Sequence, residues 1–178
     1  MALKDEPWRH DLAAYPVQLR LQTRYGDMDT NAHLNNVAIA RLFEESRLRF
    51  HADLGRGGVA IDPGGLMIAH IGIDYVAEGR YPADIEAGVG VAGVGTRSFR
   101  LAIGLFQQAR PIALAECVMV LRSAPCPVLA VRLQIGGDAQ QPQGWIVPSL
   151  LLDDGRVVPH DLVFRWRVDQ QDIHLSSR

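Results

Sequence analysis

The chain has 178 residues, enough for one domain with a real core. With 48% apolar and 21% charged residues it is not a disordered chain, and a formal net charge of −2 gives no electrostatic reason to expect nucleic acid or an anionic membrane as partner. Cys117 and Cys126, the only cysteines, form neither a disulfide framework nor a CxxC metal motif, and no apolar run approaches a membrane span.

The first residues, Met1 to Pro7, turn acidic at once and lack the apolar stretch of a signal peptide, so a soluble cytoplasmic protein is expected. Residues 5–16 read as an irregular lead-in. Val17, Leu19, Leu21, Thr23 and Tyr25 then alternate with polar neighbours, the pattern of a half-buried strand that ends at Gly26-Asp27. From Asn35 to Asp53 the period changes: Ile39, Leu42, Phe43 and Phe50 share one side, while Arg41, Glu45 and Arg49 form a polar row at four-residue spacing. This predicts an amphipathic helix of roughly five turns, closed by Gly55, Gly57 and Gly58.

Leu66 to Tyr75 reads as a second strand, followed by a turn at Gly79, Pro82 and Asp84. In the next strand, residues 85–94, Ile85, Ala87, Val89 and Val91 share a face and Gly88 and Gly90 share the other. Two glycines on one strand face imply a close approach by another backbone, a helix or a ligand. Gly95 to Ser98 reads as a hairpin turn, Phe99 to Leu105 as a strand, Gln107 to Pro111 as a turn, and Ile112 to Arg122 as a strand apolar on both faces, with Cys117 as buried filler. Three such strands in succession predict an antiparallel meander, and with one long helix the economical architecture is α+β: a curved antiparallel sheet wrapped around that helix. Beyond the break at Pro125, Cys126 and Pro127, residues 128–135 read as a further strand and 136–144 as a polar loop. Trp145 to Val147 and Val163 to Val168 are strand-like pieces of unsettled placement.

The densest polar chemistry is Asp27 to Asn36, directly ahead of the helix. Asn35 is the expected cap. Asp27 reads as a loop brace through backbone N–H groups. Asp29 sits where its carboxylate can lie near the positive helix end, and the free N–H groups of the first turn can stabilise a developing oxyanion. From the residues alone, a turn or capping role for Asp29 stands beside the chemical one. His33 is either an orienting or substrate-contacting group or a loop histidine bonded to backbone. His70 and Asp74 are read as plain sheet residues, and with no ligand spacing between His33 and His70, no metal site is expected.

These pieces resemble a known family. Thr23-Arg24-Tyr25-Gly26-Asp27-Met28-Asp29, then Ala32-His33-Leu34-Asn35-Asn36, then Glu44-Glu45-Ser46-Arg47 resemble the acyl-CoA thioesterases of the hotdog fold, in the 4-hydroxybenzoyl-CoA thioesterase-like branch. That branch carries an Arg-aromatic-x-Asp-x-Asp run, then Gly-His-Val-Asn-Asn, then a helix with Glu and Arg. Ile73-Asp74-Tyr75 with Gly79 to Asp84, and Thr96-Arg97-Ser98, are similar to later family segments, and the likeness spans residues 15–122. Three departures stand out: Ala32 in place of glycine, Ile39 in place of tyrosine, and a long carboxyl-terminal third.

The resemblance implies a single hotdog domain over residues 1–178, with its core at about 15–135 and an atypical extension at 136–178. It implies hydrolysis of an acyl-CoA or other acyl thioester, with catalytic candidates Asp29, His33, Asn36 (through its backbone N–H) and Glu44. Substrate-binding candidates are Asn35, Ile39, Phe43, Arg56 and Arg97, the arginines for the coenzyme A phosphates. No cofactor is implied, coenzyme A being part of the substrate. The implied partners are the acyl-CoA substrate and further copies of the chain, as a homodimer or dimer of dimers, with neither nucleic acid nor membrane. Glu44 either pairs with Arg47 or Arg41, faces a subunit interface, or is the working carboxylate of a pocket that a partner chain completes. Two alternatives use the same scaffold: an acyl-thioester binder without turnover, and a hydratase or dehydratase.

Overall fold

The structure, a computed structural model, describes residues 2–56, 65–94, 98–121, 128–136, 143–151, 157–159, 164–169 and 172–177; residues 54–56, 94 and 121 onward are described by backbone alone. Strand β1 (Val17–Leu21) leads to helix α1 (Asn36–Arg56), then come β2 (Leu66–Tyr75), β3 (Ile85–Val94), β4 (Ser98–Gln107) and β5 (Arg110–Leu121). The five strands form one antiparallel sheet in the order β1-β3-β4-β5-β2. One long helix on a curved antiparallel sheet is the α+β hotdog fold, as the resemblance implied. The expected meander is β3-β4-β5, whose second hairpin closes on Gln108 and Ala109, both with positive φ.

Strand alternation sorts the sheet into two faces. Ala87, Val89, Leu101, Ile103, Leu105, Ala113, Ala115 and Cys117 point to α1 and pack with Ile39, Leu42, Phe43 and Phe50 in one cluster. Each such large side chain removed from water contributes about 1.5–3 kcal/mol. Arg41, Glu45 and Arg49 lie exposed on the far side of α1, where Arg49 Nε donates to Glu45 Oε1 at 2.7 Å.

The opposite face is covered by the lead-in. Residues 3–14 make three short 3-10 turns, and Tyr15, Ala102 and Phe106 bury themselves with Trp8 and Leu12 against the sheet. The buried Arg9 ties this segment down: Nη2 donates to Glu116 Oε2 and Nε to Glu6 Oε2, each at 2.9 Å. The glycines of β3 belong here. A Cβ at Gly90 would lie 2.8 Å from Pro16 Cδ, and one at Gly88 would strike the ring of Tyr15. The close approach that the glycines imply is therefore made by the chain's own lead-in, on the face away from the helix.

One strand end differs from expectation. β1 stops at Leu21; Thr23 is still buried, but Tyr25 is 75% exposed because the chain has entered a 3-10 turn, Tyr25–Asp27. Farther on, β6 (Val128–Gly136), β7 (Gln143–Leu151), β8 (Val157–Pro159), β9 (Phe164–Asp169) and β10 (Asp172–Ser177) form a second antiparallel sheet, order β10-β9-β7-β6, with β8 on β7. The strand expected at 128–135 is thus β6, paired with β7, and the two unsettled pieces fall in β7 and β9. Among the described residues, no helix is long and apolar enough to cross a membrane.

Candidate active site

Two linked turns join β1 to α1. In the first, Asp27 Oδ2 accepts from the Arg24 N–H at 2.8 Å, and its carbonyl accepts from the backbone N–H and Nδ2 of Asn35, each at 2.9 Å. Asp27 is thus the brace of the loop. In the second, Asp29 Oδ1 accepts from the N–H groups of Asn31 at 2.8 Å and His33 at 3.2 Å, while the Asp29 N–H donates to the His33 carbonyl at 2.8 Å. This turn forces Ala32 into the left-handed region, φ 59°. The substitution of alanine for the family's glycine is therefore not a mild one: the position has the conformation in which a Cβ costs about 1–2 kcal/mol.

Asn35 caps the helix as expected. Its Oδ1 accepts from the Ala38 N–H at 2.7 Å and its carbonyl from the Ile39 N–H at 3.0 Å. The N–H groups of Asn36 and Val37 precede the first intrahelical bond and have no acceptor among the described residues. Asp29 is exposed, and its Oδ2 carries no hydrogen bond among the described residues. A carboxylate fixed at one oxygen and the positive end of α1 thus both belong to one exposed connection, the corner between β1 and α1.

The turn between β2 and β3 closes that corner from the other side. His33 Nε2 lies 2.9 Å from Glu78 Oε2 and 3.0 Å from Arg80 Nη2, and the Leu34 N–H donates to the Gly79 carbonyl at 2.8 Å. Gln107 fixes the turn: Oε1 accepts from the Arg80 N–H at 2.9 Å, and Nε2 donates to the carbonyls of Arg80 at 2.7 Å and Ala83 at 2.8 Å. Tyr25 and Tyr81, both exposed, meet edge to face at 6.1 Å between ring centres. Glu78, Arg80 and Gln107 escaped the sequence reading, since nothing in a turn's composition reveals pairing with a loop 47 positions away.

Of the other candidates, Glu44, Ile39 and Phe43 make no hydrogen bond or ion pair to this group among the described residues. Glu44 is exposed on α1 and lies 3.5 Å from Arg47 Nη2, the pairing weighed as its plain structural role. Ile39 and Phe43 are buried in the core, and Asn36 is exposed at the head of α1. Arg56 ends α1 and its side chain lies outside the described residues, as does the whole of Arg97. Asp74 accepts from the Lys4 N–H at 3.0 Å and His70 is exposed, both on β2. Deeper along α1, His51 Nε2 is buried with no hydrogen-bond partner among the described residues, and burial, followed by the nearby Arg47 charge, lowers its pKa to about 4. Burial pushes the Cys117 thiol up. Among the described residues, no three His, Cys, Asp or Glu side chains gather as a metal would require.

Residues 23–125 match the family model described as the thioesterase-like superfamily. No curated protein matches the chain. Among solved structures, a protein of Pseudomonas aeruginosa is 28% identical, with a TM-score of 0.54 over 63% of this chain and 82% of that one. A thioesterase from Thermus thermophilus, complexed with coenzyme A and zinc, is 25% identical, TM-score 0.55, over 64% of this chain and 87% of that one. A thioesterase-superfamily structure from a Jannaschia species is 24% identical, TM-score 0.54, over 62% and 75% respectively, a likeness of fold.

Proposed function

The chain belongs to the thioesterase-like superfamily, whose membership supports hydrolysis of an acyl thioester in general, and from that premise we propose that it is an acyl-CoA thioesterase working through Asp29. The observation that carries the proposal is the one-sided anchoring of Asp29. Oδ1 is held by two backbone N–H groups, which fixes the carboxylate, while Oδ2 carries no hydrogen bond among the described residues.

A thioester carbonyl placed at this corner has the Asn36 N–H as oxyanion donor, strengthened by the helix dipole. The Asp29 carboxylate then acts in one of two ways. It takes a proton from water as the water adds to the carbonyl carbon, or it adds itself and water cleaves the resulting anhydride. In both, the carbon–sulfur bond breaks, the thiolate leaves, and the acid is freed. Asn35 holds the helix end in place, and His33 orients the Asp29 turn.

Ile39 and Phe43, buried between α1 and the sheet, are the candidate apolar contacts for the acyl group, and Arg56 and Arg97 are the phosphate-binding candidates. β2 is a sheet edge bearing exposed Met67, Ile68, Ile71 and Tyr75, which supports a homodimer with a continuous sheet, itself open to doubling. Glu44, exposed on α1, would then meet the partner. The chain needs no cofactor in this scheme, and the cytoplasm, where coenzyme A thioesters are made and used, is the proposed compartment. Free-thiol release from a panel of short, long and aromatic acyl-CoAs tests the proposal: turnover of at least one supports it, and binding of the panel without thiol release rejects it.

A further inference from the structure

We infer that Glu78 and Arg80 are positioning residues that clamp the His33 ring and, through the His33 backbone, hold the Asp29 carboxylate on its target. The inference rests on the hydrolytic reading of Asp29. Nε2 of His33 offers either one proton or one lone pair. Arg80 Nη2, at 3.0 Å, can only donate, and Glu78 Oε2, at 2.9 Å, can only accept. The ring is therefore held in either neutral tautomer: Nε2 accepts from Arg80 in one and donates to Glu78 in the other. Arg80 Nη2 also donates to Glu78 Oε2 at 3.3 Å, which links the two jaws.

The jaws stand on a fixed base. Gln107 grips Arg80 from both sides of its backbone, Arg110 Nη2 donates to the Glu78 carbonyl at 3.1 Å, and the Gly79 carbonyl receives Leu34. On the other side, the His33 N–H makes the longer of the two bonds to Asp29 Oδ1, 3.2 Å against 2.8 Å for Asn31. Release of the ring loosens that bond first and lets the carboxylate swing about the Asn31 contact that remains. A misplacement of about 1 Å near reacting atoms can cost on the order of 10²-fold in rate.

The test compares Glu78→Ala, Arg80→Ala, the double variant and His33→Ala in acyl-CoA turnover and in backbone amide exchange. Each single variant keeps one jaw and should lose only a few-fold, whereas the double variant should lose roughly 30-fold in kcat with KM within about twofold. His33→Ala should match the double variant, and combining them should cost nothing further. Exchange at the His33 amide should quicken at least ~10-fold in the double variant, with α1 amides unchanged as the check on folding. Unchanged His33 exchange overturns the clamp, whatever the activity. A loss expressed in KM overturns it too, placing Arg80 on the substrate instead. A wild-type chain that releases no thiol rejects the hydrolytic reading, and the exchange result then decides the clamp alone.

Discussion

The ring of Tyr15 fills the space a side chain at Gly88 would need: a Cβ built there would lie 2.5 Å from Tyr15 Cγ. Gly104, paired with Gly88 across the ladder, completes the seat, since a Cβ there would lie 2.8 Å from the Tyr15 hydroxyl. Two bare strand positions thus fasten the lead-in to the back of the sheet, and Tyr15 Oη donates to the Arg9 carbonyl at 3.0 Å.

Gly88→Ala should destabilise the fold by about 1–3 kcal/mol, because backbone and aromatic ring must shift to admit one methyl group. Urea unfolding measures this. An unchanged midpoint would show that the lead-in yields freely.

Ala32→Gly should act in the opposite direction. Relief of the left-handed strain at φ 59° outweighs the added freedom of the unfolded chain, for a net gain of about 0.5–1 kcal/mol and a higher Tm by calorimetry.

Asn35→Ala removes a helix cap and a loop tie together, the bond to the Ala38 N–H and the bond to the Asp27 carbonyl. A stability loss of about 1–2 kcal/mol is expected in denaturant unfolding. A loss near zero would mean that the backbone bond from Asn35 to Asp27 holds the entrance unaided.

His51 sets a pH dependence. Its folded pKa, about 4, lies below the ordinary 6.5, so between those values the unfolded chain binds more protons than the folded one. Stability is therefore lost as pH falls through that window. With partial exposure allowed for, the loss is on the order of 2 kcal/mol at about pH 4.5. His51→Phe should gain on the wild type by that amount between about pH 7 and 4.5 in urea unfolding. A constant difference between the two proteins across that range would contradict this.

What the amino-acid order reveals follows the range of the forces involved. The helix face of Ile39, Leu42, Phe43 and Phe50 is a local period, and so is the alternation of Ile85, Ala87 and Val89 in β3; both appear in the structure as read. Asn35 as cap and Asp27 as brace are contacts within a few positions, legible for the same reason. Tyr25 broke its pattern because a turn, not a strand, continues beyond Leu21. The occupant of the Gly88 face and the Glu78–Arg80 grip on His33 depend on how distant segments meet, which no local pattern encodes.

The most direct test of the account is kcat of Asp29→Asn on the best acyl-CoA of the panel. Asparagine keeps the Oδ1 acceptor for Asn31 and His33, so the turn and the fold should survive, with an unfolding midpoint close to wild type. Its amide is neither base nor effective nucleophile, so kcat should fall by at least ~10²-fold. A well-folded Asp29→Asn protein with wild-type turnover would contradict the assignment of Asp29 as the working carboxylate.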